Sequence, residues 1–218
     1  MPGYILHLTA AKMFWNNAKI KELHNENDFY VGNLLPDATS DKKVSHFRNP
    51  EYYGNMIEYP DLELFLKKYK NNLHDSCVLG YFFHLYVDRR YFKEYFPSQF
   101  ELLNDELEFV VKMKDTTKIR VKRTGEILSR ATFFSDDYYY GDFTKMNNYL
   151  IKEFGLYFEF QIPEVRLIDE IDYNEMHRVM KELENFTETP MEAVHELSVF
   201  DLKDLLNFIK RVVEEFEI

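Results

Sequence analysis

His84 and Asp88 stand four residues apart in the apolar stretch 75–96, DSCVLGYFFHLYVDRRYFKEYF. At about 3.6 residues per turn, this spacing brings an imidazole and a carboxylate to one helix face. There they can converge on a divalent cation, or simply bond to each other or to the backbone. Three further candidates lie upstream. His7 shares a helical face with Ala11 and Phe14, Asp37 follows the apolar run 29–35 and Pro36, and His46 sits between Ser45 and Phe47. Singly, each has an ordinary reading, a satisfied core histidine or a capping aspartate. Together, His7, Asp37, His46, His84 and Asp88 make three imidazoles and two carboxylates, each beside a segment that reads as buried. That donor set suits zinc or a similar divalent metal.

The elements that must position these residues read as helices. Residues 75–96 form the central one, capped by Asp75 or Ser76. A first helix is expected over 4–23, with apolar coverage from Leu6, Ala10, Met13 and Trp15. The run 29–35 should stop at Pro36 and leave Asp37 in a loop, and Pro60 should open a short helix, DLELFLKKYK. Further helices are expected over 98–112, 136–154 with Gly155 as C-cap, and near 172–186. A last one should run from Pro190 almost to the C-terminus, signalled by Thr189, Pro190 and Glu192. Residues 114–127 read either as a short hairpin or as an exposed loop. With no convincing alternating strands, repeats or Gly-rich phosphate loop, the expectation is an all-α single domain over 1–218. Eight or so helices would surround the central one, with the metal-site residues concentrated in 1–96.

Composition narrows the function. The chain has 218 residues, 45% hydrophobic and 17% aromatic, enough for one sizeable core. Its net charge of -11 argues against general nucleic-acid binding. The charge is uneven: residues 111–130 hold seven Lys or Arg against two acids, a tract that reads as solvated or, alternatively, as attracting a phosphate-bearing ligand. The lone Cys77 excludes an internal disulfide and a Cys-rich zinc module. The N-terminal stretch does not read as a signal peptide, and no run of about 20 apolar residues reads as a transmembrane span. A cytoplasmic location is expected.

The motifs HLTAAKMF, GNLLPD, SHFR and GYFFHLYVDRRYF, all within roughly the first 95 residues, resemble the bacterial zinc-dependent phospholipase C family. More distantly they resemble the single-strand-specific zinc nucleases that share its all-α fold. The resemblance implies that Asp37, His46, His84 and Asp88 bind one zinc, and that His7 and Asp88 begin a second site with Asp88 bridging. It also implies that Asp37 adjoins the attacking water and doubles as general base. Secreted members place a third ligand group six residues after the bridging aspartate; here that position is Glu94. The implied activity is hydrolysis of a phosphodiester or phosphomonoester by metal-activated water, with one or two zinc ions and a small phosphoester or lipid headgroup as substrate. Asp75 and Asp41 are candidates to orient the imidazoles.

Three other readings compete. A non-catalytic binding or scaffold protein can retain one structural metal. An HD-type phosphohydrolase would use His46, the His74-Asp75 dipeptide and Asp88. All five residues can also be structural and metal-free.

Overall fold

A computed structural model of the protein describes residues 3–17, 21, 24–39 and 41–217. In chain order the helices α1 (Tyr4–Asn17), α2 (Glu26–Ala38), α3 (Lys42–Ser45), α4 (Leu62–Tyr69) and α5 (Ser76–Arg90) come first. A π-helical turn, Tyr91–Tyr95, then leads into α6 (Phe96–Gln99). Next come three short strands, β1 (Phe100–Leu103), β2 (Lys118–Val121) and β3 (Ile127–Ser129), and then α7 (Arg130–Phe133), α8 (Tyr139–Phe154), α9 (Met176–Glu184) and α10 (Leu202–Glu214). The protein is mostly helical but carries a small antiparallel sheet.

α5 is the centre, as its all-round apolar sequence requires. Every residue from Ser76 to Leu85 is buried, as are Val87 and Asp88, and Asp75 caps the helix by accepting from the Val78 N–H at 3.0 Å. Its closest neighbour is α2, and two glycines explain how close. A Cβ on Gly32 would lie 2.0 Å from the Cys77 carbonyl oxygen, and one on Gly80 would lie 2.0 Å from that of Phe29. The two backbones therefore touch where any other residue would hold them apart. α1 lies against α2 and α5, and Phe216, just beyond α10, packs edge-on to Phe14 and Phe83 at 5.2 and 5.0 Å.

Several expectations are corrected. α2 runs through Pro36, so Asp37 is in its last turn rather than in a loop. A proline there costs the carbonyl one turn back its helical partner, and the other terminal carbonyls find side chains instead. Ser45 Oγ donates to the Pro36 carbonyl, Tyr4 and Lys42 to that of Asp37, and Arg178 to that of Ala38. The orphan acceptors of a helix end are thus satisfied without a continuing ladder. The helix expected over 98–112 ends at Gln99. Phe100 turns instead into a strand whose ring packs on Phe133 and Phe200, and Phe100 pairs in register with Val121. The segment beyond Leu103 turns at Asn104, whose side chain accepts from the Glu108 N–H at 2.8 Å. Residues 114–127 contain the hairpin alternative: β2 pairs with β3 antiparallel. Arg120 pairs with Glu101 across strands, and Lys122 and Arg123 donate to the carbonyls of Pro97 and Ser198, so much of the basic tract is spent on neighbours.

The last helix is shorter than expected: 3-10 turns span Met191–Glu196, and α10 begins only at Leu202. The wholly buried Asp142 of α8 imposes the break by accepting from the N–H groups of Ser198, Val199 and Phe200. Gly155 does cap α8, in the left-handed region at φ 58°. α1 is described to Asn17; positions 18–20, 22 and 23 of the expected first helix lie outside the described residues. No helix among the described residues is long and apolar enough to cross a membrane.

Candidate metal centre

The chain contains seven histidines, and the three that are buried all meet at one point. α1 brings His7, the end of α2 brings Asp37, the residue closing α3 is His46, and α5 brings His84 and Asp88. The Nε2 atoms of His46 and His84 are 3.4 Å apart. His46 Nε2 lies 3.5 Å from Asp37 Oδ1 and 3.4 Å from Asp88 Oδ2, and His84 Nε2 lies 4.0 and 3.9 Å from the other Asp37 oxygen and from Asp88 Oδ2. His7 Nε2 is 3.2 Å from Asp88 Oδ1, and its ring stacks on that of His84 with centroids 3.6 Å apart. His7, Asp37 and His84 form one group able to hold an ion, and His46, His84 and Asp88 another.

The hydrogen bonds fix the direction of the lone pairs. His84 Nδ1 is 2.8 Å from the Asn33 carbonyl, which can only accept, so Nδ1 carries the proton. His46 Nδ1 is 3.0 Å from Ser45 Oγ, whose own proton goes to the Pro36 carbonyl at 2.8 Å. The hydroxyl therefore accepts from His46 Nδ1–H. In a neutral imidazole the other nitrogen is then bare, so two Nε2 lone pairs face each other and two carboxylates. Both oxygens of Asp88 and both ring nitrogens of His7 lack a hydrogen-bond partner among the described residues, although His7 Nε2 and Asp88 Oδ1 are 3.2 Å apart.

Charge states follow from burial and neighbours. Burial pushes the Asp37 carboxyl up, but the imidazoles of His84 and His46 and the Lys42 ammonium, 2.8 Å from Oδ1, outweigh it and hold it well below the usual range. Asp88 is likewise held down against burial by His7, His84 and His46. Burial lowers His46 to about 4 despite the nearby carboxylates, and lowers His84 well below its ordinary value with help from His7. At neutral pH His46 and His84 are therefore bare imidazoles beside ionised carboxylates, the protonation state that a metal ion requires of its ligands.

Asp37, at 8% the most exposed of the five, lines a 510 Å³ cavity with Tyr4, Thr39, Lys42, Asp172, Glu175 and Arg178. A larger cavity of 840 Å³, between segment 54–58, Phe92 and α7, includes none of the five residues.

Of the six expected ligands, the structure gathers five and leaves out Glu94. That carboxylate lies in the π-helical turn, held by Arg90 and by Arg211 of α10. Asp75 and Asp41 are spent as helix caps, and the imidazoles are oriented instead by the Asn33 carbonyl and Ser45. His74 is exposed in the turn that precedes the Asp75 cap and is not among the residues gathered with His84, which leaves the HD-type set without its His-Asp pair. Lys42 and Ser45 were not singled out in the sequence, although both lie within one turn of His46.

None of the comparisons with family models, curated proteins and solved structures gives a significant match.

Proposed function

We propose that the protein is a metal-dependent hydrolase of phosphoric esters, with His7, Asp37, His46, His84 and Asp88 holding one or two zinc or similar divalent ions. The observation that carries the reading is the pair of bare Nε2 atoms 3.4 Å apart, enclosed with two carboxylates of which Asp37 is paired with Lys42 and Asp88 faces only imidazoles in its ion-pair contacts among the described residues. The residues fit a cation: neutral nitrogen donors, ionised oxygens, and buried acceptors without partners. The resemblance of HLTAAKMF, GNLLPD, SHFR and GYFFHLYVDRRYF to zinc-dependent phospholipases C supports the phosphoester assignment. A bound divalent cation supplies a Lewis acid and a water of lowered pKa.

The chain's own residues then divide the work. Asp37 stands between the cluster and the cavity, so it accepts a hydrogen bond from a water entering there and aims it. Because its neighbours hold it ionised, Asp37 orients more than it abstracts. Lys42 and Arg178 line the same cavity, and Lys42, whose partner Asp37 is itself a site residue, can turn toward a phosphoryl oxygen. His46 and His84 are kept in one tautomer by Ser45 and the Asn33 carbonyl.

One observation favours a retained structural metal instead: four of the five residues are at most 1% exposed. The two readings separate on one experiment. Metal in the tag-free protein and in His84→Ala is measured by mass spectrometry, followed by hydrolysis of bis(p-nitrophenyl) phosphate and p-nitrophenyl phosphate. The hydrolase reading expects metal lost in the variant, and turnover abolished by chelator and restored by zinc. Metal present without turnover of either ester points to the structural reading. Absence of metal from wild type, even after reconstitution, removes both.

A further inference from the structure

Asn33 of α2 is wholly buried, and neither Oδ1 nor Nδ2 of its carboxamide has a partner among the described residues. Folded chains rarely leave both ends of a buried amide unsatisfied, because each lost bond to water must be replaced. Its position says what replaces them. Asn33 precedes Asp37 by one helical turn, so both side chains leave α2 on one face. Its own carbonyl holds the His84 ring.

α1 runs antiparallel along α2. The Tyr4 hydroxyl reaches the Asp37 carbonyl at 2.9 Å, Lys12 reaches Glu26 at 3.5 Å, and the Trp15 ring lies 5.6 Å from that of Phe29. In this register His7, one turn after Tyr4, is level with Asn33, one turn before Asp37. His7 and Asp88 also have two unpartnered polar atoms each. Unsatisfied polar atoms from three helices are thus brought to the same level of the fold.

We infer that the Asn33 carboxamide belongs to the metal site and completes the group that contains His7, offering Oδ1 to the cation or to a water bound to it. This rests on the metal reading of the cluster and adds a donor to it. The group that contains His7 has three donors, His7, His84 and Asp37, one short of the usual four. A carboxamide adds an oxygen without adding a third negative charge to a buried pair of aspartates. An apolar residue of the same size would serve α2 equally well if packing were the only demand.

The test uses Asn33→Leu and Asn33→Asp in the full chain, with zinc affinity measured by competition against a chromophoric chelator and coordination by the visible absorption of bound Co²⁺. The expected result is a 10- to 100-fold loss of affinity for one equivalent in Asn33→Leu, with an altered Co²⁺ spectrum and an unfolding temperature of the metal-free protein equal to or above wild type. Asn33→Asp, which keeps the oxygen, should retain that equivalent. Wild-type affinity and spectrum in Asn33→Leu would overturn the inference alone, and a metal-free protein destabilised by the leucine would assign Asn33 a structural hydrogen bond instead. A wild type that binds neither metal would overturn it together with the reading it rests on.

Discussion

Lowering the pH should destabilise the metal-free protein well before its carboxylates titrate. Burial lowers His46 from 6.5 to about 4, and His84 moves in the same direction. Between those two values the unfolded chain binds a proton that the folded chain refuses, so stability falls as pH drops from 6.5 towards 4. For His46 alone, the 2.5-unit difference corresponds to about 3 kcal/mol when complete, and about 2 kcal/mol of it is already lost at pH 5. His84 adds to this. Asp37 and Asp88, held below 3.8, add their own loss only beneath that value. Against a total stability of about 5–15 kcal/mol for a typical domain, this is a large fraction. The assay is urea unfolding in chelator at pH 7.5, 6.5, 5.5 and 5.0, for wild type and His46→Gln. Wild type should lose at least about 2 kcal/mol over the range, and the variant should show a shallower slope. A flat wild-type profile, or a variant as steep as wild type, would mean that the buried imidazoles are not kept neutral, and the lone-pair argument for the metal site would fail with it.

Two further perturbations test the frame around the site. Gly80→Ala drives a methyl to 2.0 Å from the Phe29 carbonyl oxygen and 3.0 Å from the Asn33 nitrogen, both backbone atoms that cannot swing away. The gain in helix propensity of about 1 kcal/mol is outweighed, and a loss of about 3 kcal/mol or more, with weakened metal binding, is expected in urea unfolding and metal titration; wild-type stability would contradict the helix contact. Glu94→Gln should leave metal content unchanged, because that carboxylate is engaged by Arg90 and Arg211. Elemental analysis showing one equivalent fewer would bring Glu94 back into the site.

The cluster was legible in the sequence because burial and polarity conflict there. His84 and Asp88 interrupt an otherwise apolar helix at one-turn spacing, and His7, Asp37 and His46 each adjoin a segment that packs inward. Glu94 was not excluded by such reasoning, yet helical geometry speaks against it: six residues at 100° per residue place it about 120° around the helix from Asp88, and the π-helical turn 91–95 alters the phase again. β1, unlike the hairpin of β2 and β3, is hidden in the sequence for a different reason. QFELLNDELEFVVKM has helix-forming composition, and what makes Phe100–Leu103 a strand is tertiary: Val121 and Lys118 waiting in register, and an aromatic pocket around Phe100.

Asp142 and Asp37 show why the ends of elements were harder to read than their existence. In each case a distant partner, not the local sequence, sets the boundary. The Asp142 carboxylate captures three N–H groups at 198–200 and so divides what reads as one C-terminal helix. At the end of α2, side chains from α1, α3 and α9 cover the carbonyls of Pro36, Asp37 and Ala38, which lets the helix pass a proline and end one residue beyond a candidate ligand. The second case bears on function. A loop would leave Asp37 adjustable, whereas a capped last turn fixes its backbone from two sides through Tyr4 and Lys42. The Lys42 ammonium binds both the carbonyl and the carboxylate of that residue, at 2.6 and 2.8 Å, so a movement of Lys42 towards an entering anion would also uncover Asp37 Oδ1. The position of the Asp37 carboxylate and access to the cavity are therefore coupled through one side chain.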